Sequence, residues 1–408
     1  MTWDRDYLAL RDEILSFVNM PFLDIPAYAA HPLADEECFN SLALRIFKFQ
    51  LHYNPLYRSY AEQLRRTTPA NWREIPSLWT SAFKRARVTT FPPDKTVCFF
   101  KTSGTTEGES GIHEFCDREL YRRGALTFFR AALLADNLRM KLFLLTPPPV
   151  EAPHSSLVFM LEAIRKKFAA QASRYYLRRG RLNSHALIQG LIDACRKDQP
   201  VFLLGTAFAF AFLLQDLSRL ALRLCLPRGS RIMETGGFKG RVKEIPRDEF
   251  YAQLEEALGI PRSHIVNEYG MTELSSQFYD RGLAETLTGR RVPVAEMSLK
   301  VGPPWTRVLI VDPITGEEVP PGKRGLIRVY DLANLGSVVA IQTEDIGVRC
   351  ECGFEILGRA PSAPPRGCSL DAETLFTGDL HNERVAIRKD RGSTARSNSR
   401  THRGIQRG

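Results

Sequence analysis

The chain has 408 residues, 44% hydrophobic and 25% charged, with a formal net charge of +10. That is enough apolar chain to bury a large core, and it excludes disordered and fibrous classes. No run of eighteen uncharged apolar residues occurs, and the N-terminus MTWDRDYLALRDEI carries acids where a signal peptide needs a basic and then an apolar run, so a soluble, cytoplasmic protein is expected.

In chain order, residues 1–95 read as a helical region. DYLALRDEILSFV and CFNSLALRIFKFQ place apolar residues three and four apart, the spacing of scaffold helices. From residue 96 to about 290 short apolar runs alternate with amphipathic stretches. VCFF precedes a glycine-rich loop, RELYRRGALTFFRAALLA reads as a helix, KLFLLT as a strand stopped by Pro147, and SSLVFMLEAIRKKF as a helix. VFLLGT, AFAFAFLLQDLSRL, RIMETGG, DEFYAQLEEAL and HIVNEYG continue the alternation, which predicts an α/β core on a largely parallel sheet with ligands at the carboxyl ends of its strands. Residues 291–358 (RVLIVD, the turn PITGEE, GLIRVYDL) predict a β-rich subdomain of antiparallel hairpins.

Residues 381–408 carry +6 of the net charge and too few apolar side chains to fold, so a disordered basic tail is expected. No aromatic residue is interleaved with its arginines to stack on bases, and a nucleic-acid partner is not expected. The eight cysteines are scattered through a long chain and read as reduced thiols. No stable membrane insertion is expected either.

Three segments carry the chemistry. Thr102, Ser103, Gly104, Thr105 and Thr106 follow an apolar run, where converging backbone N–H groups and hydroxyls suit a triphosphate; a plain Ser/Thr/Gly turn has the same composition. The Gly-Lys-Ser/Thr ending of a Walker loop is absent. Gly236 and Gly237 in ETGGFKG allow backbone to pass edge-on to a flat base. In NEYGMTE, Tyr269 can stack on a purine, Thr272 can bond a phosphate and Glu273 can hold the magnesium that accompanies ATP; a strand end and helix cap is its bland alternative.

A TSGTT loop, a GG loop about 130 residues on and YGMTE about 30 further, followed by QTED and GFEILGR, resembles the adenylate-forming superfamily. Within it, TPPPVEAPHSSLVFM, ETGGFKGR, NEYGMTELSSQFYD and GRAPSAPPRGCSL are most similar to acyl-protein synthetases of the LuxE type. The resemblance implies an ANL-type α/β large domain with layered sheets and helices, and MgATP-driven activation of a carboxylic acid, a fatty acid in this group, to an acyl-adenylate with transfer to a protein thiol. It implies that residues 102–106 contact phosphates, Gly236 and Gly237 lie along adenine, and Tyr269 stacks on it. Thr272 then bonds phosphate, Glu273 ligates magnesium, Asp345 and Arg359 grip the ribose, and His154 lies beside the acyl pocket. Cys368, with Arg366 and Gly367 beside it, is the acyl acceptor on this reading, and Cys350 and Cys352 are its rivals. An acyl-receiving reductase or carrier protein is the partner implied.

The sequence departs from the superfamily in three ways. The phosphate loop continues as EGESGIH without a lysine, Ala360-Pro361-Ser362 stands where a charged hinge residue is usual, and only 49 residues follow Arg359. A hinge and short remnant over 359–380 is therefore expected in place of a full C-terminal lid, and Lys389, in the tail beyond it, is the one lysine after Arg359. An acyl-CoA or acyl-carrier-protein ligase and a non-catalytic adenylate-binding protein are the alternatives.

Overall fold

In a computed structural model of the chain, residues 2–19, 36–102, 110–236 and 245–360 are described. Helices α1 (Thr2–Val18), α2 (Glu36–Tyr53) and α3 (Pro55–Gln63) open the chain. Their apolar faces are buried through Leu10, Ile14, Phe39, Ile46 and Tyr57, and Asn54 caps α3 by accepting from the Tyr57 N–H at 3.1 Å. Strand β1 (Leu78–Trp79) and the one-turn helix α4 (Ala82–Arg85) lead to β2 (Cys98–Lys101) and β3 (Ile112–Phe115). These last two form an antiparallel pair of their own, apart from the main sheet. Ten residues separate Lys101 from Ile112, short of the dozen or more that a crossover to a parallel neighbour requires, so this strand pairs back on itself instead of joining the alternation.

The alternating core follows as α5 (Glu119–Leu133), β4 (Lys141–Leu145), α6 (Ser156–Phe168), β5 (Arg174–Tyr175), the small hairpin β6 (Leu177–Arg178) and β7 (Arg181–Leu182), and α7 (Ser184–Arg196). It continues through β8 (Val201–Thr206), α8 (Ala207–Arg219), β9 (Arg231–Thr235), α9 (Arg247–Leu258) and β10 (Ile265–Tyr269). β4 and β8 are apolar and buried almost throughout, and β9 is buried throughout with Arg231, Glu234 and Thr235 among its buried side chains, the pattern of strands covered on both faces. Leu187, Leu191, Phe210, Leu213, Tyr251 and Leu254 from α7, α8 and α9 pack on Phe143, Leu203 and Ile232 of the sheet. Ser155 and Thr206 cap α6 and α8, and Gly259 at φ +67° ends α9 in the left-handed conformation that glycine adopts without penalty.

Beyond β10 the chain runs antiparallel: β11 (Phe278–Asp280), helix α10 (Gly282–Leu287), β12 (Lys300–Val301), β13 (Thr306–Val311), β14 (Arg324–Asp331), β15 (Ala340–Cys350) and β16 (Gly353–Arg359). These strands do not make a sheet of their own; they extend the parallel one into a 12-stranded sheet ordered β13-β14-β15-β16-β12-β11-β10-β9-β8-β4-β5, with β1 parallel to β15. The parallel strands β4, β8, β9 and β10 end on the same side, at Leu145, Thr206, Thr235 and Tyr269. Among the described residues no helix is long and apolar enough to cross a membrane.

Candidate active site

A cleft of about 740 Å³ opens at those carboxyl ends. It is lined by Leu145, Thr206, Thr235 and Tyr269 from the strand ends, by Thr272 and Glu273 just past β10, and by Asp345 and Arg359 from the antiparallel half. Thr102 and His154 line it as well, so seven of the residues singled out in the sequence face one cavity. Gly236 is not among the lining residues; it follows Thr235, exposed, at φ +76° with open space where a Cβ would stand. Ser103, Gly104, Thr105, Thr106, Gly237 and Cys368 lie outside the described residues, as do the 381–408 tail and Lys389.

Tyr269 packs edge-on against Phe354 at 6.3 Å between centroids, and its hydroxyl donates to Asp345 Oδ2 at 2.8 Å. Burial raises the Asp345 carboxyl above its ordinary range, against the lowering effect of the Tyr269 hydroxyl and the Arg359 charge. Arg359 lies opposite Asp345 in the β15–β16 register and pairs with Glu344 at 2.9 Å. Thr272 Oγ1 donates to the Lys101 carbonyl at 3.2 Å, tying the segment after β10 to the strand before the glycine-rich loop.

Glu273 is buried, and burial pushes its carboxyl up to about 7; its own backbone N–H, Lys84 and Arg359 pull the other way. Asn334 Nδ2 donates to the Glu273 carbonyl at 2.8 Å and fixes the backbone there. Glu268, one residue before Tyr269, is buried at the cleft floor, and its carboxyl also rises to about 7 by burial, with the Thr235 hydroxyl hydrogen-bonded to it. A Cβ on Gly270 would come within 2.2 Å of Glu268 Oε1, so a side chain there would force the Glu268 carboxyl to shift.

His154 lies flat on Phe99, 4.0 Å between centroids and 10° between planes, and its carbonyl accepts from the Lys101 N–H at 2.9 Å. It therefore rides on β2 at the cleft rim.

Beneath the β10 wall is a buried charge cluster that the sequence reading did not identify. Lys300 and Asp280, each 1% exposed, pair at 2.7 Å, and Arg247 meets Asp280 at 2.6 Å. Asn267 donates to Glu234 Oε1 at 2.7 Å, Tyr251 does the same at 2.7 Å, and Lys300 also donates to the Asn267 carbonyl at 2.8 Å. These bonds lock β10 directly below Tyr269 and Glu273. The sequence reading also missed the contribution of residues 1–95: Thr80, Ser81 and Lys84 line the cleft. No periodicity marks them, because they are brought in by a pairing of β1 with β15 across more than 250 residues of chain (Leu78 with Ile341).

A sheet of this order with a polar cleft at its carboxyl ends defines the class: the fold is that of adenylate-forming ligases. The open form of 2-hydroxyisobutyryl-CoA ligase, solved with 2-HIB-AMP and CoA, matches with a TM-score of 0.56 at 14% identity, covering 81% of this chain and 76% of that one. The same enzyme in its thioesterification state matches with a TM-score of 0.59 at 15% identity over 82% and 70%. Sequence narrows the class, because the profile of LuxE acyl-protein synthetases matches residues 22–377, and the chain belongs to that family. A long-chain-fatty-acid–luciferin-component ligase of Vibrio harveyi is 22% identical over 347 residues, covering 81% of this chain and 86% of its own length. The protein is thus an enzyme, and a ligase.

Proposed function

We propose that the cleft activates a carboxylic, most naturally a fatty, acid with MgATP and passes the acyl group to a protein thiol. The observation that carries this reading is the meeting of Thr102, Tyr269, Thr272, Glu273, Asp345 and Arg359, from four separate stretches of chain, on one cavity at the strand ends. Tyr269 offers a ring face to adenine, and Asp345, held by the Tyr269 hydroxyl, offers carboxylate oxygens to the ribose hydroxyls. Leu145, Val158, Met160 and Leu177 supply apolar surface to the acyl chain, with His154 at its entrance.

Magnesium fits the donors present. Among the described residues no group of three or more His, Cys, Asp or Glu side chains could cage an ion, whereas Glu273 presents one buried carboxylate to the cleft. One or two carboxylates completed by phosphate oxygens and water are the usual surroundings of this ion. Bound there, it would neutralise negative charge on the phosphate oxygens. A substrate carboxylate oxygen attacks the α-phosphorus; the new P–O bond forms as the bridging P–O bond to the β-phosphate breaks and pyrophosphate leaves. Thr102, whose Oγ1 accepts from the Gly111 N–H and keeps its own proton to give, brings a hydroxyl to the phosphate side, and Thr272 can do so on releasing the Lys101 carbonyl.

In the second step the thiolate of Cys368 attacks the acyl carbonyl. The S–C bond forms, the C–O bond to phosphate breaks, AMP departs, and the thiol proton goes to solvent. The thioester is reactive enough to be handed on to a reductase or carrier, and a reaction that uses ATP and a reduced thiol suits the cytoplasm. The test is Cys368→Ala with labelled acid. The variant is expected to keep acid-dependent pyrophosphate exchange with ATP while losing the hydroxylamine-labile acyl label on the denatured chain. A persistent thioester moves the acceptor to another thiol, and absent exchange in the parent protein removes the adenylation reading altogether.

A further inference from the structure

Among the described residues three permanent cations line the cleft. Arg359 is engaged with Glu344, and Lys101 is exposed with its ammonium 5.9 Å from the centroid of the Phe99 ring. Lys84 differs from both: it is half-buried, faces the cavity, and makes no ion pair or side-chain hydrogen bond with any described residue. A half-buried ammonium with no anionic partner among the described residues is stabilised by an anion that enters the cleft.

Lys84 is also held in place from several sides. The β1 register sets Trp79 against Gln342, and the Thr80 N–H extends it by donating to the Gln342 carbonyl at 3.1 Å. Phe83 is buried edge-on against the His113 ring, 5.3 Å between centroids. A Cβ on Gly111 would stand 3.2 Å from the Phe83 carbonyl, a close approach that glycine permits. His113 Nδ1 in turn donates to the Thr272 carbonyl at 2.8 Å, and burial pushes its ring down to about 4, so it serves as a neutral donor. One run of contacts therefore fixes Lys84 relative to Thr272 and Glu273. Its charge acts on the Glu273 carboxylate, yet the two form no ion pair, and both line the cleft.

We propose that Lys84 is the residue that receives the phosphate chain of MgATP, with Thr80 and Ser81 beside it as hydroxyl donors. Carboxylate, metal, phosphate and ammonium then alternate in sign across the cleft, which satisfies both unpaired groups at once. The inference rests on the cleft being the nucleotide site. It assigns to the N-terminal region, read from sequence as scaffold, the cation that the glycine-rich loop lacks.

The experiment is calorimetric titration of the full chain with MgATP and, separately, with adenosine, for the parent, Lys84→Met and Lys84→Arg. Lys84→Met is expected to weaken MgATP roughly 10- to 100-fold, the loss of one charge-assisted contact. Adenosine, which carries no phosphate, should bind both proteins alike, and Lys84→Arg should recover most of the MgATP affinity. Unchanged MgATP affinity in Lys84→Met overturns the inference, as does an equal loss for adenosine, which would make Lys84 a prop of the fold. A higher KM for the acid with MgATP affinity unchanged would assign Lys84 to the substrate carboxylate and overturn it too. Failure of the parent to bind either ligand would strike the nucleotide-site reading instead.

Discussion

On one side of the cleft Glu268, Glu273 and Asp345 are set in buried frame, all three carboxyl groups raised by desolvation, above the locked pair of Lys300 and Asp280. On the other side Lys84, Lys101 and Thr102 stand on short elements, half-buried or exposed, around the hairpin of β2 and β3. The first wall is built where parallel and antiparallel strands meet, so its side chains are positioned by sheet register and by hydrogen bonds that water cannot replace. The second is positioned by a few long-range contacts and works in a wetter medium, where charge is screened. A carboxylate held near neutrality on one wall and hydrated cations on the other make a division of labour: nucleoside and metal on the rigid side, anionic phosphate on the open side.

The severest way to break this division is Glu273→Gln, which keeps the shape of the rigid wall and removes its metal-binding charge. Acid-dependent pyrophosphate exchange is expected to fall roughly 100- to 1000-fold, the scale of losing one electrostatic group at a reacting centre. The melting temperature should hold or rise, because a buried ionisable group is replaced by a neutral one. Lys300→Met probes the support below that wall. With Asp280 left to Arg247 and the Asn267 N–H, about 3 kcal/mol of stability should be lost in urea unfolding, as for a buried ion pair deprived of one partner. Tyr269→Phe keeps the ring and frees Asp345 from its hydroxyl, and nucleotide affinity should weaken about 10-fold by calorimetry.

The smallest effect is protonic. Glu268 and Glu273 in the fold titrate at about 7, above the ordinary glutamate value of 4.5, so between those values the folded chain holds more protons than the unfolded one. Their contribution to stability is therefore present in full below 4.5 and is lost as pH rises through 7. Glu268→Gln should flatten that slope in melts of the ligand-free protein. A metal on Glu273 requires the ionised form, so MgATP binding at neutral pH should release a fraction of a proton, seen as buffer-dependent binding heat and absent in Glu273→Gln.

Much of the rigid side could be read in the sequence. RIMET and HIVNEY are buried parallel strands because their apolar runs are short and bounded, and the residues after them face a cleft because ligands gather at the carboxyl ends of such strands. The helix of SLVFMLEAIRKKF and its Ser155 cap follow from spacing and a capping residue. The open side was hidden for a physical reason. Lys84 reaches the cleft through the pairing of Leu78 with Ile341, and β2 turns back on β3 instead of joining the sheet; neither arrangement leaves a local periodicity. The same holds for Glu234, Asp280 and Lys300, whose partners are distant in sequence and whose charges read as surface residues until the sheet order buries them. Extension of the parallel sheet by β11 to β16 was likewise invisible, since hairpin signals fix neighbours within the antiparallel half and not where that half attaches.

The most direct measurement is a structure of the full chain with MgATP bound. The nucleotide is expected in the cleft at the carboxyl ends of β4, β8, β9 and β10, with adenine against Tyr269, ribose on Asp345, metal on Glu273 and the phosphate chain at Lys84. Nucleotide density on another face of the molecule, or in this cleft with the metal away from Glu273, would contradict the account.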